Sequence, residues 1–302
     1  VQDYLTWTKD LAVTPDSNES LERDSYEQIT RRASLLDRME QIKMYEGYLE
    51  DFPEGKQQLS IRFLLAQAYK DASLFEKALP EFQWVAEAQS ENSESALVAV
   101  AQIKMEQKIG GDPIQSLEKL LVMAQDPQNR SYAMTNLMRL SYEKKDFKKL
   151  RNYAQQVLII EGLDFQIKQD AQIMLARSAQ EQGDAKEAAA AYLSLKNVAT
   201  GELGAETWYW LAYYKQQTKD FEGSNVLVQE LAKNYASYKI WAAKGLLLMA
   251  DNFYALEDLF QAHFIWQNII DNFSQFPDVV QQAKEKIAST KAETINISQD
   301  DE

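Results

Sequence analysis

The sequence has no cysteine. That excludes disulfides, thiolate metal sites, iron–sulfur clusters and a cysteine nucleophile, and it leaves the redox compartment open. One histidine, His263, is present, which leaves little material for zinc or haem ligation or for a histidine-based triad. Glycine and proline are scarce, 10 and 6 in 302 residues. A protein of many turns and short strands needs more of both. A glycine-cradled nucleotide site is equally hard to place. Basic residues are outnumbered, 32 Lys and Arg against 46 Asp and Glu, for a net charge of −14. Binding to a phosphate backbone needs clustered Lys and Arg, so nucleic acid is not an expected partner. Apolar runs are short, such as Leu246–Ala250 and Val157–Ile160. None approaches the ~20 residues of a membrane-spanning helix. The chain begins at Val1 rather than Met, as a processed chain or excised fragment does, so a targeting segment is not to be looked for here.

What is present is helical periodicity. Leu59, Phe63, Ala66 and Tyr69 recur at three or four residues. After a break at 71–74 come Phe75, Ala78, Leu79, Phe82, Val85 and Ala86. No comparable stretch alternates with period two, and the apolar residues are mostly Ala, Leu, Met, Tyr and Trp, which favours helix over strand.

The larger signal is repetition. Leu65-Ala66, Tyr69, Phe75, Ala78 and Phe82 set a spacing. It returns as Leu175-Ala176, Ala179, Ala185, Ala188 and Tyr192, then as Leu211-Ala212, Lys215, Phe221, Ser224 and Val228. It returns again as Met249-Ala250, Phe253, Leu259, Ala262 and Trp266. The two small residues lie 12 apart in all four, at 66/78, 176/188, 212/224 and 250/262. Weaker copies run from Val100-Ala101 to Ser116 and Leu120, and from Leu137 to Val157. A degenerate one covers Tyr26–Ala33 and Arg38–Phe52. The second-helix positions 78, 116, 150, 188, 224 and 262 step by 38, 34, 38, 36 and 38. A small residue on each helix lets two backbones approach. One such hairpin cannot bury its apolar face alone, so the copies must stack.

The pattern Leu-Ala-x-x-Tyr followed by Phe-x-x-Ala-x-x-x-Phe resembles tetratricopeptide repeats. Trp208, in Trp208-Tyr209-Trp210-Leu211-Ala212, stands where that motif favours Trp. Pro53, Pro127 and Pro277 fall near repeat ends, where it favours Pro. The resemblance implies an all-α solenoid, a right-handed superhelix of antiparallel helix pairs, with about seven repeats and a capping helix. The segment order also resembles the C-terminal region of large cell-envelope repeat proteins of the Bacteroidetes. The matching segments are Tyr4-Leu5-x-Trp7, Asp24-Ser25-Tyr26-Glu27, Trp241-Ala242-x-Lys244-Gly245, Leu259-Phe260-Gln261-Ala262 and Ile269–Phe273. By that likeness the chain is expected in the periplasm or associated with the cell envelope. The expected organisation is an N-terminal helix and linker over 1–20, the end of an upstream region. A repeat solenoid over 21–275 follows, then a capping helix over 276–292 and an acidic tail over 293–302.

Chemistry-bearing candidates are few. His263 has no second histidine beside it and reads as a surface or packing residue. Acidic pairs such as Glu257-Asp258 and Asp300-Asp301 are adjacent on helices and do not face one another, as a glycosidase pair must. Gly110-Gly111-Asp112-Pro113 lacks the Lys-Ser/Thr of a phosphate loop and reads as a helix stop. Asn296-Ile297-Ser298 is a sequon of a kind that arises by chance. No cofactor is implied, and no enzyme is expected.

If the resemblance holds, the first helices line the inner side of the superhelix, the usual binding surface of the family. Tyr209 and Tyr213 fall there, with Phe63, Gln67 and Lys70 earlier, then Arg177 with Gln180, and Asp251 with Tyr254. Exposed Tyr beside Arg, Gln and Asp suits a groove for an extended peptide. Packing against neighbouring repeats would use the same residues. Chaperone-tail binding is not expected, because Phe63, Gln67, Val98 and Gln102 stand where that subfamily carries its carboxylate-holding residues. The function expected is a non-catalytic scaffold that binds a protein or peptide segment. The alternative is a glycan- or small-ligand-binding protein of the envelope, with Tyr and Trp stacked on sugar rings.

Overall fold

The computed structural model describes residues 15–300, with side chains over 19–290. The helix expected over Val1–Val13 lies outside the described residues. Fifteen helices follow one another with no strand among the described residues. They are α1 (Pro15–Ala33), α2 (Arg38–Asp51), α3 (Gln58–Asp71), α4 (Phe75–Glu87), α5 (Ser93–Gln102), α6 (Ile114–Met123), α7 (Pro127–Glu143) and α8 (Phe147–Ile159). Then come α9 (Phe165–Glu181), α10 (Ala185–Leu195), α11 (Gly201–Gln217), α12 (Phe221–Asn234), α13 (Lys239–Ala255), α14 (Leu259–Asn272) and α15 (Pro277–Asp300). They read as seven pairs and a closing helix. That helix does not stop at 292 but continues to Asp300. The chain divides into two compact units, Val1–Leu140 and Ser141–Glu302.

Within each unit the helices pack in series. In the first unit α2 meets α3, α3 meets α4, and α4 meets α5. In the second, α9 meets α10, α11 meets α12, α12 meets α13, and α13 meets both α14 and α15. The repeated small residues are the reason. Ala66, Ala78, Ala176, Ala188, Ala212, Ser224, Ala250 and Ala262 are all completely buried. Each first-helix residue has its partner 12 positions on, across the turn. Four residues beyond the second small residue stand Phe82, Tyr192, Val228 and Trp266, also buried. They fill the space that two close backbones leave beside them.

The turns inside the pairs of the second unit share one chemistry. Asp146, Asp184, Asp220 and Asp258 each precede a second helix and accept a hydrogen bond from the amide three residues on. Each of these aspartates also donates its own amide back to the carbonyl five residues earlier, on Ser141, Ala179, Lys215 and Phe253. The residue before each aspartate, Lys145, Gly183, Lys219 or Glu257, has φ between 56° and 75°. One helix thus ends on a left-handed residue and the next begins on an aspartate cap, with no spare residue between them.

The pair α5/α6 departs from this pattern. After α5 the helix widens into a π-turn over Ile103–Gln107, and Lys108 turns left-handed. Gly110 and Gly111 follow with φ of 78° and 81°. A Cβ on Gly110 would stand 2.3 Å from Leu79 Cδ2, so a side chain here would have to displace Leu79 of α4 as well as adopt a left-handed φ. The Gly-Gly-Asp-Pro segment is the helix stop expected of it.

Candidate functional site

In the first unit a pocket of about 440 Å³ opens between the first helices of three successive pairs. Phe63, Gln67 and Lys70 line it from α3, Val98 and Gln102 from α5, and Asn129 from α7. Three of the nine expected residues therefore meet at one place. Phe63 meets the buried ring of Phe82 edge-on at 6.0 Å, which gives the pocket an aromatic floor. Lys70 Nζ donates to Gln102 Oε1 at 2.7 Å, tying the rim together across two helices. Gln67 is exposed and makes no hydrogen bond among the described residues. Beside Asn129 of the pocket, Glu94 accepts from the amides of Gln125 and Asp126 at 3.0 and 3.2 Å and from Asn129 Nδ2 at 2.8 Å. Burial works against a charge on Glu94. The three donors outweigh it and hold the carboxyl below its ordinary range.

In the second unit Tyr209 and Tyr213 are one turn apart on α11. Tyr209 lies between Trp210, at 5.1 Å, and Trp241, at 5.5 Å. Burial, with smaller effects of Tyr213 and Asp251, pushes its hydroxyl up to about 12. Tyr213 packs edge-on against Trp210 and Tyr214. Asp251 is paired with Lys286 of α15 at 3.0 Å. Tyr254 sits against the buried ring of Trp266, 5.9 Å away. A second pocket of about 440 Å³ is lined by Tyr209, by Ile240, Lys244 and Leu247 of α13, and by Phe276, Val279 and Gln282 at the start of α15. Of the four expected residues in this region, Tyr209 lines the pocket. Tyr213, Asp251 and Tyr254 do not.

Arg177 and Gln180 are placed differently. Arg177 Nε and one terminal nitrogen donate to the two oxygens of Glu206 at 2.9 and 2.5 Å. Glu206 is buried, and Tyr192 Oη donates to it at 3.0 Å and to Gln180 Oε1 at 2.9 Å. Tyr192 stacks on Trp210 at 6.2 Å. The hydrogen bonds that Arg177 donates to Glu206 hold its guanidinium firmly protonated. Burial first, then the negative charge of Glu206, keeps Tyr192 a neutral phenol. This network fastens α9, α10 and α11 together. Glu206 was not anticipated. The one sign of it in the sequence is a carboxylate inside an apolar run, between Ala205 and Trp208. His263 forms a hydrogen bond with Thr290 at 2.9 Å and meets Trp266 edge-on, so it joins α14 to α15.

Among the described residues no helix is long and apolar enough to cross a membrane. No known family's sequence profile matches the chain, and no curated protein matches it. Solved structures do. The C-terminal part of a tetratricopeptide-repeat protein from Cytophaga hutchinsonii superposes with a TM-score of 0.54 at 13% identity, over 85% of this chain and 98% of that one. This chain has the tetratricopeptide-repeat fold. The Naa15/Naa10 structure bound to HypK-THB gives 0.52 at 12% identity, over 87% of this chain and 39% of that one. A tetratricopeptide-repeat protein from Parabacteroides merdae gives 0.43 at 10% identity, over 87% and 98%. At these identities the likeness is one of fold. In tetratricopeptide-repeat terms, both pockets lie on first helices, and the polar network of Arg177 is a joint between successive repeats.

Proposed function

We propose that this chain is a non-catalytic interaction scaffold that binds a protein segment along the inner surface built by its first helices, within a cell-envelope assembly. One observation carries the reading. Phe63, Gln67 and Lys70, separated by three and four residues on α3, meet Val98, Gln102 and Asn129 in a pocket with an aromatic floor and a rim of amides and an ammonium group. Amide side chains can pair with the backbone of an extended segment, and an apolar floor accepts one of its side chains. A preformed surface of this kind spends no ordering entropy on its own side. The Naa15/Naa10 neighbour of the same fold is itself described with a bound protein, HypK-THB.

The test is site-specific photocrosslinking in the native host. A crosslinking residue placed at Gln67 or Tyr209 is expected to capture the same defined protein bands. At Val122 and Ile159, which are exposed on second helices, it is expected to capture none of them. Equal capture at all four positions would refute the reading. Fractionation of the host with an antibody against the chain tests the envelope placement. Recovery in the cytoplasmic fraction would remove that part alone.

A further inference from the structure

The pocket of the second unit has a chemistry of its own. Ile240, Leu247, Phe276 and Val279 make an apolar wall. Two polar groups border it without a hydrogen-bond or ion-pair partner among the described residues. The Tyr209 hydroxyl has no hydrogen bond among the described residues. Lys244 Nζ lies 4.7 Å from the centre of the Trp241 ring and has no carboxylate within 4.0 Å. Lys145, Arg151, Arg177, Lys215 and Lys286 of this unit each hold an acid, whereas Lys244, like Lys148, Lys168 and Lys233, holds none; what sets Lys244 apart is that it borders an apolar pocket. Asp251 gives its Oδ2 to Lys286 and lies more than 4.0 Å from Lys244 Nζ. Asp278, also on the pocket, stands in the first turn of α15, where the positive end of the helix offsets its charge. A cation and a phenol donor beside an apolar wall complement a carboxylate next to an apolar group.

We propose that this pocket takes the segment's anchor: a Leu, Ile or Phe side chain against the apolar wall, with an Asp or Glu beside it on Lys244 and Tyr209. The inference rests on the scaffold reading above and names the partner chemistry for one of its two pockets. The pocket volume admits one large side chain and its neighbour.

The test is selection from a random peptide display library on the full chain and on Lys244→Glu. The parent is expected to enrich peptides with Asp or Glu next to Leu, Ile or Phe. Their affinity, read by calorimetry, should fall about tenfold or more on Lys244→Glu. It should return when the acid of the peptide is exchanged for Lys, a rescue that mere loss of structure does not produce. Lys244→Gln, with an unchanged circular dichroism spectrum, should bind at an intermediate level. Enriched peptides without an acid, or acidic ones bound equally by Lys244→Glu, would overturn the assignment. Peptides lost on Gln67→Arg and indifferent to residue 244 would sink it while leaving the scaffold reading intact. Enrichment at neither pocket would sink both.

Discussion

Asn252 offers the sharpest test of how the last repeats are joined. It is completely buried on α13. Its Nδ2 donates to Ser224 Oγ and Asn225 Oδ1, both at 2.8 Å, and its Oδ1 accepts from Gln216 Nε2 at 2.8 Å. Ser224 in turn donates to the Ala212 carbonyl at 2.8 Å, so one amide ties α11, α12 and α13. In Asn252→Leu the branched shape is kept, the side chain is larger, and all three bonds go. Ser224 keeps its bond to Ala212, and Gln216 retains a long contact to the Leu248 carbonyl at 3.4 Å. Asn225 Oδ1 is left buried with nothing, at ~1–3 kcal/mol, and the weakened Gln216 adds about 1 kcal/mol. Leucine burial returns ~1–2 kcal/mol. The net loss is about 2 kcal/mol, or roughly 30-fold in the local opening equilibrium. Asn252→Ala has the same orphaned groups, a void and less compensation, so it should lose about 3–4 kcal/mol. Repeat arrays can unfold in stages, so the assay is amide hydrogen exchange of α11–α13 peptides rather than a single melting curve. A leucine variant within ~0.5 kcal/mol of the parent, or above it, would refute the network as the joint between these repeats.

Three further outcomes follow from the geometry. Ala66→Trp and Ala176→Trp should overpack the close helix contacts and cost about 3 kcal/mol or more in urea unfolding; parental stability in either would put the repeat register in error. Glu94→Gln should destabilise by about 1 kcal/mol at pH 7, as loss of a cap does. Because the folded pKa of Glu94 lies below its ordinary value, its contribution is present above that value and lost as pH falls through the folded one. The difference between parent and variant should therefore shrink as pH falls below the ordinary carboxylate range in chemical denaturation. Glu257→Gly should stabilise by ~0.5–1 kcal/mol, since φ of 63° strains a residue with a Cβ and glycine pays only unfolded-state entropy. A variant less stable than the parent would show that the Glu257 side chain contributes more than its backbone costs.

The close helix contacts were legible because pairs of small residues recur at a 12-residue spacing, and one repeat explains the next. Phe63, Gln67 and Lys70 were legible as a group because they share one helix face, and helix periodicity is all that face requires. Four aspartates at 146, 184, 220 and 258 were equally visible, stepping by 38, 36 and 38, and they cap the second helices of the second unit. They passed unread because Asp is common in a chain of 46 acids. The pocket lined by Tyr209 was only half legible. Its other wall comes from Phe276 and Val279, about 70 residues on, and no spacing rule within a repeat connects them.

Arg177 and Gln180 show where periodicity runs out. Their helix positions suit an exposed polar face, as those of Gln67 and Lys70 do. The difference is made one repeat later, where α11 presents Glu206 at the depth that meets the guanidinium. A polar first-helix residue is a ligand or a strut according to what the following repeat places opposite it. Two of the three Arg177 nitrogens are committed, so a partner meets only what remains on the outer side. Lys70 shares its ammonium with an amide that can exchange for a ligand oxygen at little cost. Lys244 has no carboxylate to give up at all. Binding capacity along such a surface is therefore set by subtraction. The polar groups left over after the repeats have fastened themselves together are the ones open to a partner, and at two pockets, one in each unit, such groups stand beside apolar side chains.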